Sequence, residues 1–145
     1  MKHPASLVCC ILVVITLSMF GCGRAPARTV PLPDGGHASG SDLAKAVRGV
    51  CDAADQAAHQ PAQAASTFYL RSHTELHSLA SATALADRAS AGRLLEAMYT
   101  VEQDIAAIPV RPALSADLGR LGAVAGDDLG VLHLAAPSCT RRTSP

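Results

Sequence analysis

The sequence predicts an all-α domain, a small antiparallel four-helix bundle closed by one disulfide and preceded by a signal peptide and a disordered tether. Three observations favour this fold class. Apolar residues recur at helical spacing in four successive segments, only a few residues separate these segments, and β-branched residues nowhere alternate with polar ones over a usable length. The chain has 145 residues, enough for one such domain.

The first two helices follow each other closely. Ser41 is a good N-cap residue for the first helix, which ends near His59. Pro61 fits the first turn of the second helix, where its missing N–H is not needed. Their apolar stripes are Leu43, Val47, Val50, Ala54 and Ala57 in the first helix, and Ala65, Phe68, Ser72, Leu76, Leu79 and Thr83 in the second.

The third and fourth helices complete the predicted bundle. Asp87 is the candidate N-cap of the third helix and Pro109 ends it, while Pro112 starts the fourth. Glycines recur every three or four residues in the fourth helix, where each costs about 1 kcal/mol relative to alanine but permits close approach of a neighbouring helix. The two stripes are Leu94, Leu95, Met98, Val101, Ile105 and Ile108, and Leu114, Leu118, Leu121, Ala125, Leu129 and Leu132.

The N-terminal region is typical of an export signal. The mostly apolar run from Leu7 to Phe20 follows Lys2 and is shorter than the roughly 20 residues that a membrane-spanning helix needs. We therefore expect residues 1–21 to be removed as a signal peptide. Residues 22–40, rich in Pro, Gly and Ala, are predicted to form the flexible tether, residues 41–139 the bundle, and residues 140–145 a disordered tail.

The end of the predicted signal resembles a known processing motif. Met19-Phe20-Gly21-Cys22 resembles the lipobox of bacterial lipoprotein precursors, in which the cysteine is lipidated and becomes the first residue. The resemblance implies that Cys22 anchors the protein to the outer face of the cell membrane, and it covers only this region, so it identifies no functional family for the mature domain. The alternative is cleavage after Ala25-Pro26-Ala27 by the ordinary signal peptidase, which gives a secreted protein.

The remaining cysteines predict a disulfide. Cys9 and Cys10 leave with the signal and Cys22 is the lipidation site, so that Cys51 and Cys139 remain. Two cysteines in an exported domain favour a disulfide over a redox or metal role, because neither belongs to a Cys-x-x-Cys pair.

Composition excludes several classes of function. The 12 Lys and Arg balance 12 Asp and Glu, and aromatic residues make up only 3% of the chain, which argues against nucleic-acid binding through a basic face or a stacking platform. We find no Gly-x-Gly-x-x-Gly, Gly-Lys-Ser/Thr or Gly-x-Ser-x-Gly motif, and therefore expect no enzyme. The leading hypothesis is a non-enzymatic binding or accessory module without a cofactor, acting on an envelope protein partner.

The second hypothesis is an envelope metal-binding protein. His73 and His77 lie one turn apart on the second predicted helix, and this spacing can hold a metal ion. Asp52 or Asp55 of the first helix and Glu96 of the third are the candidate carboxylate ligands, and the set would suit zinc, copper(II) or iron. The alternative is that both imidazoles lie on a solvated flank of the helix. Convergence of the two histidines with a carboxylate would favour the metal.

Overall fold

The computed structural model describes residues 28–139. The predicted signal peptide, Cys22 and the predicted tail over 140–145 lie outside the described residues. Between Arg28 and Cys139 no helix combines the length and the apolar character needed to cross a membrane. This part of the chain is mostly helical, with four helices and one β-hairpin: β1 Thr29–Pro31, β2 His37–Ser39, α1 Gly40–Ala57, α2 over residues 61–84, α3 Arg88–Ala106 and α4 Leu114–Val131.

The core is built from the apolar stripes of the four helices. α1 packs on α2, α2 on α3, α3 on α4, and α4 back on α1. Most of the predicted stripe residues are buried, but Leu95 and Ile108 are exposed, because Leu95 points away from the side of α3 that buries Leu94, and Ile108 lies beyond the end of the helix. The large, fully buried side chains include Leu43, Val47, Val50, Phe68, Leu76, Leu79, Leu94, Met98, Leu118, Leu121 and Leu129.

The ends of the helices follow local sequence signals in part. Asp87 caps α3 as predicted, because its Oδ1 accepts the N–H groups of Ala89 and Ser90 at 2.9 and 3.0 Å. Pro61 occupies the first turn of α2. The predicted N-cap Ser41 is wrong, since α1 begins at Gly40 and Ser39 is its N-cap residue, without a capping side-chain hydrogen bond.

α2 contains a wide turn in its middle. The helix consists of the α-helical segment Pro61–Phe68, a π-helical turn Tyr69–His73 and a second α-helical segment Thr74–Ala84. The turn packs closely on α1, where the buried Ser72 donates its hydroxyl to the carbonyl oxygen of Ala46 at 2.8 Å. A Cβ atom on Gly49 would overlap the Ser72 hydroxyl, so the glycine is required for this approach. This contact therefore fixes the position of the turn along α1. It also fixes the position of His73, which is the last residue of the turn.

The segment before α1 is ordered, which overturns part of the predicted tether over 22–40 and the expectation of no strand. β1 and β2 pair antiparallel, with Val30 opposite Ala38, and both of these side chains are buried. Leu32-Pro33-Asp34-Gly35 forms the connecting turn, in which the Gly35 N–H donates to the Leu32 carbonyl at 3.1 Å and Gly35 adopts φ +85°. Proline and aspartate followed by glycine favour such a turn, and the signal lay in the sequence. The prediction of disorder in this segment was wrong because prolines and the absence of a helical apolar face exclude a helix but not a short β-hairpin.

The C-terminal segment folds back onto α1. Beyond α4 the chain turns at His133, which adopts φ 56°, and the Leu134 N–H donates to the Leu129 carbonyl at 2.8 Å. His133 is exposed and lies outside α4, which ends at Val131. The segment then leads to Cys139, which forms the predicted disulfide with Cys51 across a sequence separation of 88, with the two Cα atoms 5.4 Å apart.

Candidate metal centre

Two imidazoles lie side by side on the outer surface of α2. His73 ends the π-helical turn and His77 lies one helical turn further along. Their ring centroids are 4.8 Å apart in an edge-to-face arrangement, and the ring of Tyr69 follows at 5.2 Å from that of His73. His73 is half-buried and His77 is exposed. The predicted proximity of the two histidines is therefore present, at the boundary between α2 and α3.

A carboxylate from α3 completes the group. Oε1 of Glu102 lies 2.8 Å from Nε2 of His73 in a hydrogen bond, and the two side chains are 31% and 27% exposed. One ligand atom from each of His73, His77 and Glu102 can be chosen so that all three lie within 4.8 Å of one another. In a tetrahedral zinc site with bonds of about 2.0 Å, ligand atoms are about 3.3 Å apart. Binding one ion would therefore require separations of up to 4.8 Å to shorten to about 3.3 Å.

The carboxylates predicted from the sequence do not join this group. Asp52 forms an ion pair with Arg71 at 2.8 Å, Asp55 is exposed on α1, and Glu96 lines a separate groove between α3 and α4. Glu96 and Glu102 are six residues apart, so they lie about 120° apart around the helix and face different neighbours. Glu102 is the residue that the sequence analysis missed. It could have been found from the register of antiparallel helices, because His73 and Glu102 lie nearly equal distances along the chain from the connection at Asp87.

The chemistry of the three groups suits a divalent transition-metal ion. Neutral imidazole nitrogen and carboxylate oxygen are ligands of zinc and copper(II), and three protein ligands leave a position of a four-coordinate ion open to water or another ligand. Nε2 of His73 and Oε1 of Glu102 already lie 2.8 Å apart, and an ion bound by both would take the place of the proton between them. Partial exposure of both side chains lets an ion enter from solvent.

A groove lies next to the histidines. It separates the hairpin turn from α2 and has a volume of about 380 Å³. His77 belongs both to this groove and to the group with His73 and Glu102. The residues that line the groove are Leu32, Pro33, Asp34, Thr74, His77, Ser78 and Ser81.

Two other carboxyl groups of the domain are buried where α3 and α4 meet, Asp104 on α3 and Asp128 on α4. Burial raises the pKa of Asp104, with further contributions from the hydrogen bond and the charge of Asp117, while Arg111 opposes the shift. Burial also raises the pKa of Asp128, whose Oδ1 accepts the Ser90 hydroxyl at 2.8 Å. Neither residue belongs to the group of His73, His77 and Glu102.

Comparison with known proteins gives no assignment, since no protein-family model, no curated protein and no solved structure matches this chain. The described residues form a mostly helical, disulfide-linked domain that carries two imidazoles and a carboxylate on one accessible face.

Proposed function

We propose that this chain is a non-enzymatic, exported, lipid-anchored protein of the cell envelope that binds a divalent transition-metal ion through His73, His77 and Glu102. The observation that carries the proposal is the convergence of three ligand atoms from two helices within 4.8 Å of one another. Zinc and copper(II) are the ions that two imidazoles and a carboxylate suit best. In this proposal, metal binding replaces the leading sequence hypothesis of a module without a cofactor.

Packing and covalent structure support the rest of the proposal. Contacts of each helix with the next, and of α4 with α1, support an antiparallel four-helix bundle. The Cys51–Cys139 disulfide supports an oxidising compartment, because disulfides persist outside the cytoplasm. A lipid on Cys22 would hold the domain at the outer face of the membrane, and two or three acyl chains make a stable anchor.

Mass spectrometry of the mature N-terminus tests the anchor. Our proposal predicts a chain that begins with acylated Cys22. An unmodified chain that begins at Arg28 would contradict the anchor and indicate a secreted protein.

Metal titration tests the proposed site. Zinc and copper(II) should each raise the melting temperature of the mature domain, with a stabilisation of about 2.7 kcal/mol at a free metal concentration 100 times the Kd. Copper(II) should bind more tightly than zinc. The double variant His73→Ala/His77→Ala should lose this response.

The chain offers a matched control for that variant. His37→Ala/His59→Ala also removes two imidazoles, but both of these residues are exposed and neither belongs to the three-residue group. It should keep the full response to metal. An unchanged melting temperature of the wild type at large metal excess, or equal losses in the two double variants, would contradict the proposed site.

A second candidate function is binding of an envelope protein partner. Leu95, Tyr99 and Glu102 recur at helical spacing on one face of α3, where Leu95 is 44% and Tyr99 61% exposed. Exposed apolar side chains grouped on one face are typical of protein-binding surfaces. A pull-down from solubilised membranes with the tagged mature protein should capture a partner that Leu95→Ser/Tyr99→Ser no longer captures. Leu85→Ser, which changes another exposed leucine, is the control. If the wild type, Leu95→Ser/Tyr99→Ser and Leu85→Ser all captured the partner equally, this face of α3 would not be the binding surface.

A further inference from the structure

We infer that Asp34, at the tip of the hairpin, positions His77 for metal binding and that metal binding draws the hairpin turn towards α2. The inference rests on the proposed metal function. Its starting point is the groove of about 380 Å³ that separates the turn from α2, because Asp34 and His77 both line it. Among the residues that line the groove, Asp34 is the one carboxylate.

The chemistry of a metal-bound histidine requires a partner on the far side of the ring. One ring nitrogen holds the metal and the other carries an N–H, which in metal sites is donated to a carboxylate, a carbonyl oxygen or water. Such a partner fixes the orientation of the ring and makes the coordinating nitrogen a better ligand. His77 lines the groove that Asp34 also lines, so Asp34 is the carboxylate that can serve its second ring nitrogen.

The fold holds Asp34 at the edge of this groove. Its Oδ1 accepts the Gly36 N–H at 2.9 Å, which leaves Oδ2 as the acceptor for a further donor. The Leu32 N–H donates to the Gly36 carbonyl at 2.9 Å, and buried Val30 and Ala38 fix the strands on either side. In the inferred arrangement, the carboxylate accepts the N–H of His77 across this groove, either directly once the turn moves towards α2 or through bridging water.

A bound divalent cation would strengthen the inferred interaction between Asp34 and His77 in two ways. It polarises the coordinated imidazole, so that the ring N–H becomes a better donor, and its positive charge attracts the nearby carboxylate. The turn should therefore lie closer to α2 when metal is bound. Amide hydrogen exchange at Leu32 should slow when zinc is added to the wild type, and less so in a variant that lacks the carboxylate.

Two substitutions of Asp34 separate a positioning role from a structural one. Asp34→Asn keeps an oxygen that accepts the Gly36 N–H, so the metal-free melting temperature should be unchanged, but the Kd for zinc should rise about 10-fold. Asp34→Glu keeps the carboxylate and lengthens the side chain, so the metal-free melting temperature should fall while the Kd for zinc stays within about 3-fold of the wild-type value. If Asp34 had only a structural role, Asp34→Asn would leave the Kd for zinc unchanged and Asp34→Glu would raise it.

Asp55→Asn is the control, because it removes one exposed carboxylate from α1, outside the groove. Its Kd for zinc should stay within about 2-fold of the wild-type value, since an exposed charge is screened by solvent. Tight zinc binding by the wild type, with equal Kd values in Asp34→Asn and Asp55→Asn, would overturn the inference and leave the proposed metal function intact. Failure of the wild type to bind zinc would overturn both.

Discussion

α3 carries two carboxyl groups two residues apart that face different neighbours. Glu102 is partly exposed and lies beside the two imidazoles of α2, whereas Asp104 is 2% exposed and lies beside Asp117 of α4 and Arg111. Burial, followed by the hydrogen bond and the charge of Asp117, raises the pKa of Asp104. The open flank of α3 is the side that faces α2 and carries Glu102, and a carboxyl group there can serve as a metal ligand. The closed flank is the side that faces α4 and carries Asp104, and a carboxyl group there retains its proton to higher pH.

Metal-free stability, to which the buried Asp104 and Asp128 contribute, and metal affinity at the exposed site depend on pH in opposite directions. Asp104 and Asp128 have pKa values raised above the ordinary 3.8, so the folded state keeps these protons to higher pH than the unfolded state does. Their favourable contribution to stability is complete below the ordinary pKa and is lost as the pH rises through the raised values. Metal binding requires neutral imidazoles and therefore strengthens as the pH rises. Metal-free stability and metal affinity should thus change in opposite directions between mild acid and neutral pH.

The largest effect should come from opening the disulfide, which lies away from the open flank. Cys51→Ser/Cys139→Ser should lower the free energy of unfolding by about 4 to 5 kcal/mol, because the crosslink closes a long loop in the unfolded chain. The tail near Cys139 lies against α4, where a Cβ on Gly122 would be 3.5 Å from the Cys139 sulfur. Urea denaturation measures the loss. Zinc affinity, measured where the variant is still helical, should change less than about 3-fold, and its loss there would contradict the separation of the two regions.

The next effect should come from the contact that places the π-helical turn. Gly49→Ala forces the new Cβ against the Ser72 hydroxyl, and we expect a loss of about 2 kcal/mol in the free energy of unfolding and weaker zinc binding, because Ser72 precedes His73. Gly92→Ala is the control, since a Cβ there meets no atom within 4 Å, and it should stabilise α3 by about 1 kcal/mol. Thermal denaturation and zinc titration of both variants check this. Unchanged stability in Gly49→Ala would show that the turn does not depend on this contact.

These contacts show which parts of the fold the sequence could predict. The four helices were predictable because each stripe lies within one segment, and the disulfide because Cys51 and Cys139 are the two cysteines of the predicted bundle. The π-helical turn was not predictable from its own residues, because it depends on the approach of Ser72 to Gly49, far away in the sequence.

The candidate site was predictable only where it depends on residues that are close together in the sequence. His73 and His77 are neighbours within one helix, so local spacing was sufficient to pair them. The choice of Glu102 over Glu96 depends on which side of α3 faces α2, and this is set by the packing of the whole domain. The hairpin is a different case, because the turn residues Leu32-Pro33-Asp34-Gly35 are a local signal that the sequence analysis did not use.

A pair of substitutions on α3 tests the comparison directly. Glu102→Gln should raise the Kd for zinc at least about 10-fold with little change in metal-free stability, because it removes a ligand from a partly exposed position. Asp104→Asn should leave the Kd for zinc unchanged and raise the free energy of unfolding at pH 7 by about 1 kcal/mol, because it removes a buried carboxyl group whose ionised form is disfavoured. Isothermal calorimetry and urea denaturation measure the two quantities. Equal losses of zinc affinity in both variants would contradict the distinction between the flanks.

The smallest effect concerns the second buried carboxyl group. Asp128→Asn should raise the free energy of unfolding at pH 7 by about 1 kcal/mol or less and reduce its decline between mild acid and neutral pH, because the amide oxygen still accepts the Ser90 hydroxyl and carries no charge. The adjacent Asp127 is exposed, so Asp127→Asn is a matched control and should leave the pH profile unchanged. Urea denaturation across this pH range checks both variants. Identical profiles in the two variants would contradict the role assigned to burial.

X-ray absorption at the zinc edge of the zinc-loaded mature domain tests the central claim most directly. The proposed site predicts a shell of four nitrogen and oxygen neighbours at about 2.0 Å with scattering from two imidazole rings, reduced to fewer rings in His77→Ala. A spectrum of oxygen neighbours without imidazole scattering, or one that His73→Ala/His77→Ala leaves unchanged, would contradict the account.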